Sequence, residues 1–335
     1  MTATSQDYVA ESASVATGPA TASRIKLHPF PVGWYRIASS EDVKAGELVS
    51  MRWFGEDLIC WRSADGGEPR VFDAYCAHMG ANIGRGGFVQ GDTVVCPFHH
   101  WKYDCAGKNV EIPYRDKPQR GARQKVWTAI ERNGQILVWN APDGSEPDWT
   151  PPQLPEATDP EFVSIVSEKI WTVRTHVQEV FENTVDVSHF QFVHGVAGFG
   201  SVELVEDGPM FRATASVSME TSRGKVDGAV ESELWGLGLD IVRQVGIGRA
   251  RSIFSVTPID DEQVVATHTF FVPGDADGPS RYGKAFMREF SRQIEQDIPI
   301  WETKLYRAKP RLATGENAIL DFRRWATQFY AADDE

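Results

Sequence analysis

Apolar and polar positions alternate at short intervals through the first 140 residues, then change character. LVSMRWFGEDLICWRS (48–63) and TAIERNGQILVWNA (128–141) each predict two strands about a tight turn, with Gly55 and Gly134 at the bends. Between them, Val94 and Val95 predict a strand running directly into CPFHHW. The seam APDGSEPDWTPPQLPEATDP (141–160) carries six prolines, which breaks both strand and helix periods and predicts a linker or strap. Downstream, 162–175, 211–221, 227–235, 249–257 and 262–272 read as antiparallel strands, with turns at Gly224 and Asp260-Asp261. From about Tyr282 to Arg307 the period lengthens: Phe286, Phe290, Ile294, Ile298 and Trp301 recur at steps of three or four, predicting a helix kinked at Pro299. No internal repeat is visible. The pattern predicts an α+β domain following an all-β one.

A chain of 335 residues accommodates one large or two ordinary domains. A net charge of −13 without any Lys/Arg-rich run excludes a general nucleic-acid binder and leaves room for a basic protein partner. Cys60, Cys76, Cys96 and Cys105 make no disulfide framework, which fits a reducing, cytoplasmic compartment. No eighteen-residue apolar stretch predicts a membrane span. The Ala/Ser/Thr-rich opening lacks a basic segment followed by an apolar one, so it predicts a mobile tail rather than a secretory signal.

The chemistry concentrates in two places. DAYCAHMG (73–80) and CPFHHW (96–101) set Cys76-x-His78 against Cys96-x-x-His99. Two mixed thiolate–imidazole pairs suit a [2Fe–2S] cluster with both cysteines on one iron and both histidines on the other. Tetrahedral zinc accepts the same donors, but its usual signature pairs cysteine with cysteine. The glycines of GANIGRGG (80–87) suit tight turns and close backbone approach beside the first loop.

The second place is VQEVFENTVDVSHFQFVHG (177–195). A helix from Glu179 to Phe190 would carry Asn183, Asp186 and His189 on one side, with His194 returning from its end. Two imidazoles and one carboxylate form the facial triad of non-haem Fe(II) oxygenases. Spacing leaves the carboxylate open among Asp186, Glu182, Glu295 and Asp297, and Asp186 suits equally a hydrogen bond that orients a ligating imidazole. Phe211, Met219, Trp235 and Phe254 are candidates for an apolar pocket. An electron carrier, or a binding protein retaining a degenerate metal frame, is the rival reading.

Both motifs resemble those of the Rieske non-haem iron oxygenases, whose alpha subunits carry C-x-H…C-x-x-H, then D-x-x-H-x4-H and a distant carboxylate. The resemblance runs from residue 28 onward. In PFPVGWYRIA, FDAYCAHMGANIGRGG, DTVVCPFHHWKYDCAGKNVEIPYRD and EQDIPIWETK it is nearest to the oxygenase component of 3-ketosteroid 9α-hydroxylase, and sterol 7-desaturases and aromatic-acid demethylases share the frame. It implies a flexible tail (1–27), a Rieske domain (28–142), a linker (143–160) and a catalytic antiparallel-sheet and helix domain of helix-grip type (161–330).

It further implies one [2Fe–2S] cluster on Cys76, His78, Cys96 and His99, and one mononuclear Fe(II) on His189, His194 and Asp297. Asp186 would carry electrons between subunits of a homotrimer or hexamer, and Asn183 would lie near the iron. NADH or NADPH would act through a reductase, with or without a ferredoxin. Dioxygen would then hydroxylate a steroid-like molecule, with sterol desaturation or oxidation of an aromatic compound as the alternative. Two departures stand out: His100 occupies a position usually held by glycine, and residues 188–199 differ from the steroid hydroxylases in detail.

Overall fold

Phe54-Gly55 and Asn133-Gly134 both adopt left-handed backbone, the geometry that two-residue hairpin turns demand. They join Leu48–Trp53 to Glu56–Ser63 and Ala129–Arg132 to Gln135–Asn140, as the alternating pattern predicts. The computed structural model describes residues 20–166, 169–196, 199–221 and 224–330; the side chains of 199–201, 219–221 and 224–225 lie outside that set. The described residues form two compact units, 36–140 and 20–35 with 141–330.

The first unit is all-β. Leu48–Trp53, Glu56–Ser63, Gly66–Asp73 and Val126–Trp127 make one four-stranded sheet; Phe88–Gln90, Thr93–Val95, Lys102–Tyr103 and Asn109–Glu111 make another. Ile59, Trp61, Phe72, Val94 and Tyr103 form its buried centre, and Cys76 and Cys96 belong to the same cluster of side chains. The glycine-rich stretch is built for proximity. A Cβ on Gly87 would meet the Ile83 carbonyl at 2.3 Å and that of Val95 at 2.8 Å.

The second unit is α+β. Phe199–Asp207, Met210–Thr221, Gly224–Trp235, Leu239–Val245, Arg251–Pro258 and Val264–Asp275 form an antiparallel meander, and Phe162–Val166 pairs back onto the last of them. The turn at Asp260 is as expected: its carboxylate accepts from the amides of Glu262 and Gln263 at 2.9 Å. The turn expected at Gly224 involves 222–223, which lie outside the described residues. The first and fourth strands of the meander are not expected from the sequence. Leu239, Asp240, Ile241 and Val242 are all buried, which erases the alternation that marks a half-exposed strand.

The long helix spans Arg281–Trp301, capped by Ser280 and packed through Phe286 and Phe290 on Ala250, Phe270 and Val272. It stops six residues short of the expected end, with Pro299 in its final turn. A second helix, Asn317–Ala326, sets Phe322 and Trp325 against Phe211.

One expectation about a loose segment changes. The tail expected through residue 27 is folded from Thr21: Arg24 is 3% exposed because its guanidinium donates to the carbonyls of Trp301, Lys304 and Arg174. Residues 1–19 lie outside the described set. The proline-rich seam is anchored as well, with Leu154 buried and the Trp149 carbonyl accepting from Trp34 Nε1 at 2.8 Å. Among the described residues, no helix is long and apolar enough to cross a membrane.

Candidate functional site

The two Cys/His loops share one local design. Gly80 N–H donates to the Cys76 carbonyl, and His100 N–H donates to that of Cys96. Each loop thereby folds back over its own cysteine. His100 must take φ +56° to do this, the left-handed region where a side chain costs about 1–2 kcal/mol. That is why glycine suits this position. The turn projects the His100 imidazole outward, where it meets the Phe88 ring edge-on.

These turns bring four donors together. The Cys76 and Cys96 thiols are hydrogen-bonded to each other, and the His78 and His99 rings have centroids 4.8 Å apart. The proton shared from Cys96 lowers the Cys76 thiol and raises that of Cys96; burial opposes the lowering, and the Tyr103 hydroxyl 3.1 Å from the Cys76 sulfur assists it. Trp101 stacks on His78 with 4.0 Å between centroids, and Gln124 clamps the first loop through Ala77 N–H and the carbonyls of Asp73 and Tyr75. His99 Nδ1 is buried without a hydrogen-bond partner. A buried, unpaired imidazole nitrogen beside two paired thiols and a second imidazole fits a group that bonds sulfur and nitrogen together. Tyr103 and Gln124 act here without any spacing signal in the sequence.

The second centre begins with a correction. Residues 179–190 do not form one helix. Val177–Phe181 continues as a 3-10 turn over Glu182–Thr184, and a new helix starts at Val187. Asp186 is the reason, since its carboxylate caps the new helix by accepting from His189 N–H. Asn183, Asp186 and His189 therefore share no helix face. Instead the Asp186 carbonyl holds His189 Nδ1 in a short hydrogen bond. A carbonyl only accepts, so Nδ1 carries the proton and Nε2 offers its lone pair.

His194 is oriented in the same sense by different means. Its Nδ1 lies 3.0 Å from Gln296 Oε1, an oxygen identified by Arg292 Nη1 donating to it at 2.6 Å. Arg292 also donates to the His194 carbonyl. The free Nε2 sits 3.4 Å from Asp297 Oδ2. Asp297 lies between Ile294 and Trp301 on the buried face of the long helix, 4% exposed, whereas Glu295 points outward to Lys169. Helix geometry thus separates two carboxylates that the sequence leaves equivalent. Glu182 is excluded too, being bound bidentately by Arg323.

The ligand atoms of His189, His194 and Asp297 all lie within 4.8 Å of one another. Burial lowers the His189 imidazole; burial also acts downward on His194, but the Asp297 hydrogen bond and charge outweigh it, and the net is upward. Asp297 Oδ1 is buried without a partner. Two imidazoles presenting Nε2 and a carboxylate with an unused oxygen fit an iron ion that keeps positions open.

A cavity of about 290 Å³ opens from this triad. Ala213, Ala215 and Val217, then Val230, Val242 and Phe254, supply its apolar wall from four adjacent strands, and Asn183 is among its lining residues. Of the expected pocket residues only Phe254 is confirmed. Phe211 lies on the same strand face as Ala213 but is covered by Phe322 and Trp325, and Trp235 alternates to the face opposite Val230. The Met219 side chain lies outside the described residues.

Comparison with known proteins follows the same division. Residues 33–131 match the Rieske [2Fe-2S] domain, and 138–330 match the 3-Ketosteroid 9alpha-hydroxylase C-terminal domain. "Cholesterol 7-desaturase nvd" of Drosophila melanogaster is 31% identical over 92% of this chain and 76% of its own length. "3-ketosteroid-9-alpha-monooxygenase, oxygenase component" of Rhodococcus rhodochrous is 28% identical over 90% of this chain and 84% of its own. Dicamba monooxygenase bound to dicamba shares the fold, with a TM-score of 0.65 and 16% identity over 88% of this chain and 96% of that one.

Proposed function

The chain belongs to the Rieske non-haem iron oxygenases, an oxidoreductase acting with dioxygen on a hydrophobic organic substrate, and from that premise we propose that the substrate is a steroid nucleus. The observation that carries this reading is the cavity, whose apolar wall is built from adjacent strands and ends on the triad. Its 290 Å³ stands at the lower end of the range for small-molecule pockets.

The relatives named as cholesterol 7-desaturases support dehydrogenation as the reaction. Two hydrogens leave adjacent carbons; dioxygen, two electrons and two further protons complete two waters. The match over 138–330 supports a second reading, in which one oxygen enters a steroid C–H bond and the other leaves as water.

In this account Cys76, His78, Cys96 and His99 hold the [2Fe–2S] cluster, and His189, His194 and Asp297 hold the mononuclear iron. The cluster supplies electrons and the iron supplies dioxygen activation. The residues around them do the rest. The Asp186 carbonyl and Gln296 fix the tautomers of the two imidazoles, and the apolar wall excludes water from the reacting carbon. Asp186 also serves as the electron bridge to a neighbouring subunit, and Asn183 stands near the iron. A bridge between subunits calls for a closed ring, most simply a homotrimer. A reductase, with or without a ferredoxin, delivers electrons from NADH or NADPH. Residues 28–142 are then the Rieske domain and 161–330 the catalytic domain, whose long helix packed on an antiparallel sheet supports a helix-grip assignment.

The test is turnover of the iron-loaded protein with a reductase, offering cholesterol, a 3-ketosteroid and an aromatic acid. Oxidation of a steroid in preference to the aromatic acid is expected; exclusive oxidation of the aromatic acid overturns the proposal.

A further inference from the structure

Most polar side chains in the cavity wall already have a partner. Asp240 accepts from Ser232 at 2.5 and 2.6 Å and from Thr184 at 3.5 Å; Gln244 is bonded to Tyr282. Glu289 is bonded to Gln293 and Arg292, and His189, His194 and Asp297 form the triad. Asn183 is only half-buried.

Two buried groups of the wall are different, Trp301 Nε1 and His268, and only His268 has both a donor and an acceptor to offer. It lines the cavity at 2% exposure, and neither ring nitrogen has a hydrogen-bond partner among the described residues. Its ring packs against Phe254 and Phe270, with centroids 4.6 and 4.9 Å away, and Phe290 and Trp171 stand edge-on at 5.9 and 6.3 Å. The sheet register sets Asp240, Phe254 and His268 in one cross-strand row, so its side chain shares the face that forms the cavity wall.

An imidazole in such surroundings loses its hydration and gains no hydrogen bond from the phenylalanines. Burial pushes it down to about 3, so the ring is neutral and offers one N–H donor and one lone pair. Simple packing would be served better by a further phenylalanine. We propose that His268 is a specificity-determining residue that hydrogen-bonds the oxygen function of an otherwise apolar polycyclic substrate. This rests on the steroid-nucleus reading and names the polar handle that the pocket recognises: a hydroxyl or carbonyl oxygen on a hydrocarbon frame. That contact orients the frame relative to the triad.

The experiment is equilibrium dialysis of the iron-loaded protein and its His268→Phe variant against cholesterol, cholest-4-en-3-one and cholestane, the last lacking oxygen. Thermal midpoints are measured alongside. His268→Phe is expected to weaken cholesterol about 10- to 100-fold, the range for stranding one buried polar partner. It should leave cholestane unchanged or tighter, without lowering the midpoint. A parallel loss for the ketone assigns the contact to the ring N–H; loss for cholesterol alone assigns it to the ring lone pair. His268→Gln, which keeps a donor and an acceptor, should restore part of the preference. If His268→Phe fails to fold, His268→Leu is read in the same way. An unchanged cholesterol-to-cholestane ratio overturns the proposal, as does equal weakening of both with a lowered midpoint. Should the unaltered protein bind none of the three yet oxidise another hydrophobic compound, the steroid reading falls, and this inference with it.

Discussion

The Asp186 carbonyl holds His189 Nδ1, while the carboxylate of the same residue caps the helix on which His189 stands. One residue therefore fixes both the tautomer of the imidazole and the start of its helix. Only the first of these tasks belongs to the backbone.

Asp186→Asn should therefore leave the mononuclear site intact. Asparagine caps as well as aspartate, and the carbonyl is unchanged. Both metal centres should load, while reoxidation of the reduced cluster by dioxygen in the presence of substrate collapses. Rapid mixing followed at the cluster absorbance tests this. Normal reoxidation with normal product yield would remove Asp186 from the electron route. Loss of the mononuclear iron alone would make it a ligand. Asp186→Ala should in addition cost about 1 kcal/mol through the lost cap, read as a lower denaturation midpoint.

Asp297→Asn should separate the two centres. The buried Oδ1 has no other partner, so the change weakens the mononuclear site while leaving the first unit untouched. We expect iron affinity there to fall more than about 100-fold, beyond the loss typical for groups that merely support a ligand. The visible cluster spectrum should persist. Bleaching of the cluster in a folded variant would contradict the assignment.

His100→Gly relieves a left-handed backbone without touching the four cluster donors. The released strain of about 1–2 kcal/mol is offset in part by the freedom that glycine gains when unfolded. Stability should rise by up to about 1 kcal/mol with the cluster spectrum retained. Complete loss of the cluster would make His100 a ligand.

Asp240 gives a pH-dependent test. Burial raises its carboxyl from 3.8 to about 6, with the Ser232 and Thr184 hydrogen bonds opposing. Because the folded value lies above the unfolded one, the stability associated with the protonated form is fully present below pH 3.8 and lost as pH rises toward 6. Asp240→Asn should remove that loss. Its stability relative to the parent should improve by about 2 kcal/mol between pH 4 and pH 7. Denaturant titrations at the two pH values check this, and a difference independent of pH would contradict it.

Much of the cluster unit is legible in the sequence because its signals are local. Asn133-Gly134 and Phe54-Gly55 announce their hairpins, and each Cys/His pair lies within one tight turn. The triad is only half legible. His189 and His194 are close in sequence, but the choice of Asp297 over Glu295 depends on which face of the long helix is buried. Gln296 and Arg292, which aim His194, become meaningful only once that helix lies beside the His194 turn. The broken helix at Asp186 is misread because helical spacing and an N-cap compete for the same aspartate, and the cap prevails. His268 stays silent for the opposite reason: in sequence it is one polar residue in a strand, and only its phenylalanine surroundings make it conspicuous.

The most direct test of the account is a single turnover of the reduced, iron-loaded protein with cholesterol and dioxygen, with the product identified by mass spectrometry. The account predicts a sterol lacking two hydrogens, or under the second reading one carrying a single oxygen from dioxygen, formed as the cluster reoxidises. Cluster reoxidation that is indifferent to the sterol, with the sterol recovered unchanged, would contradict it.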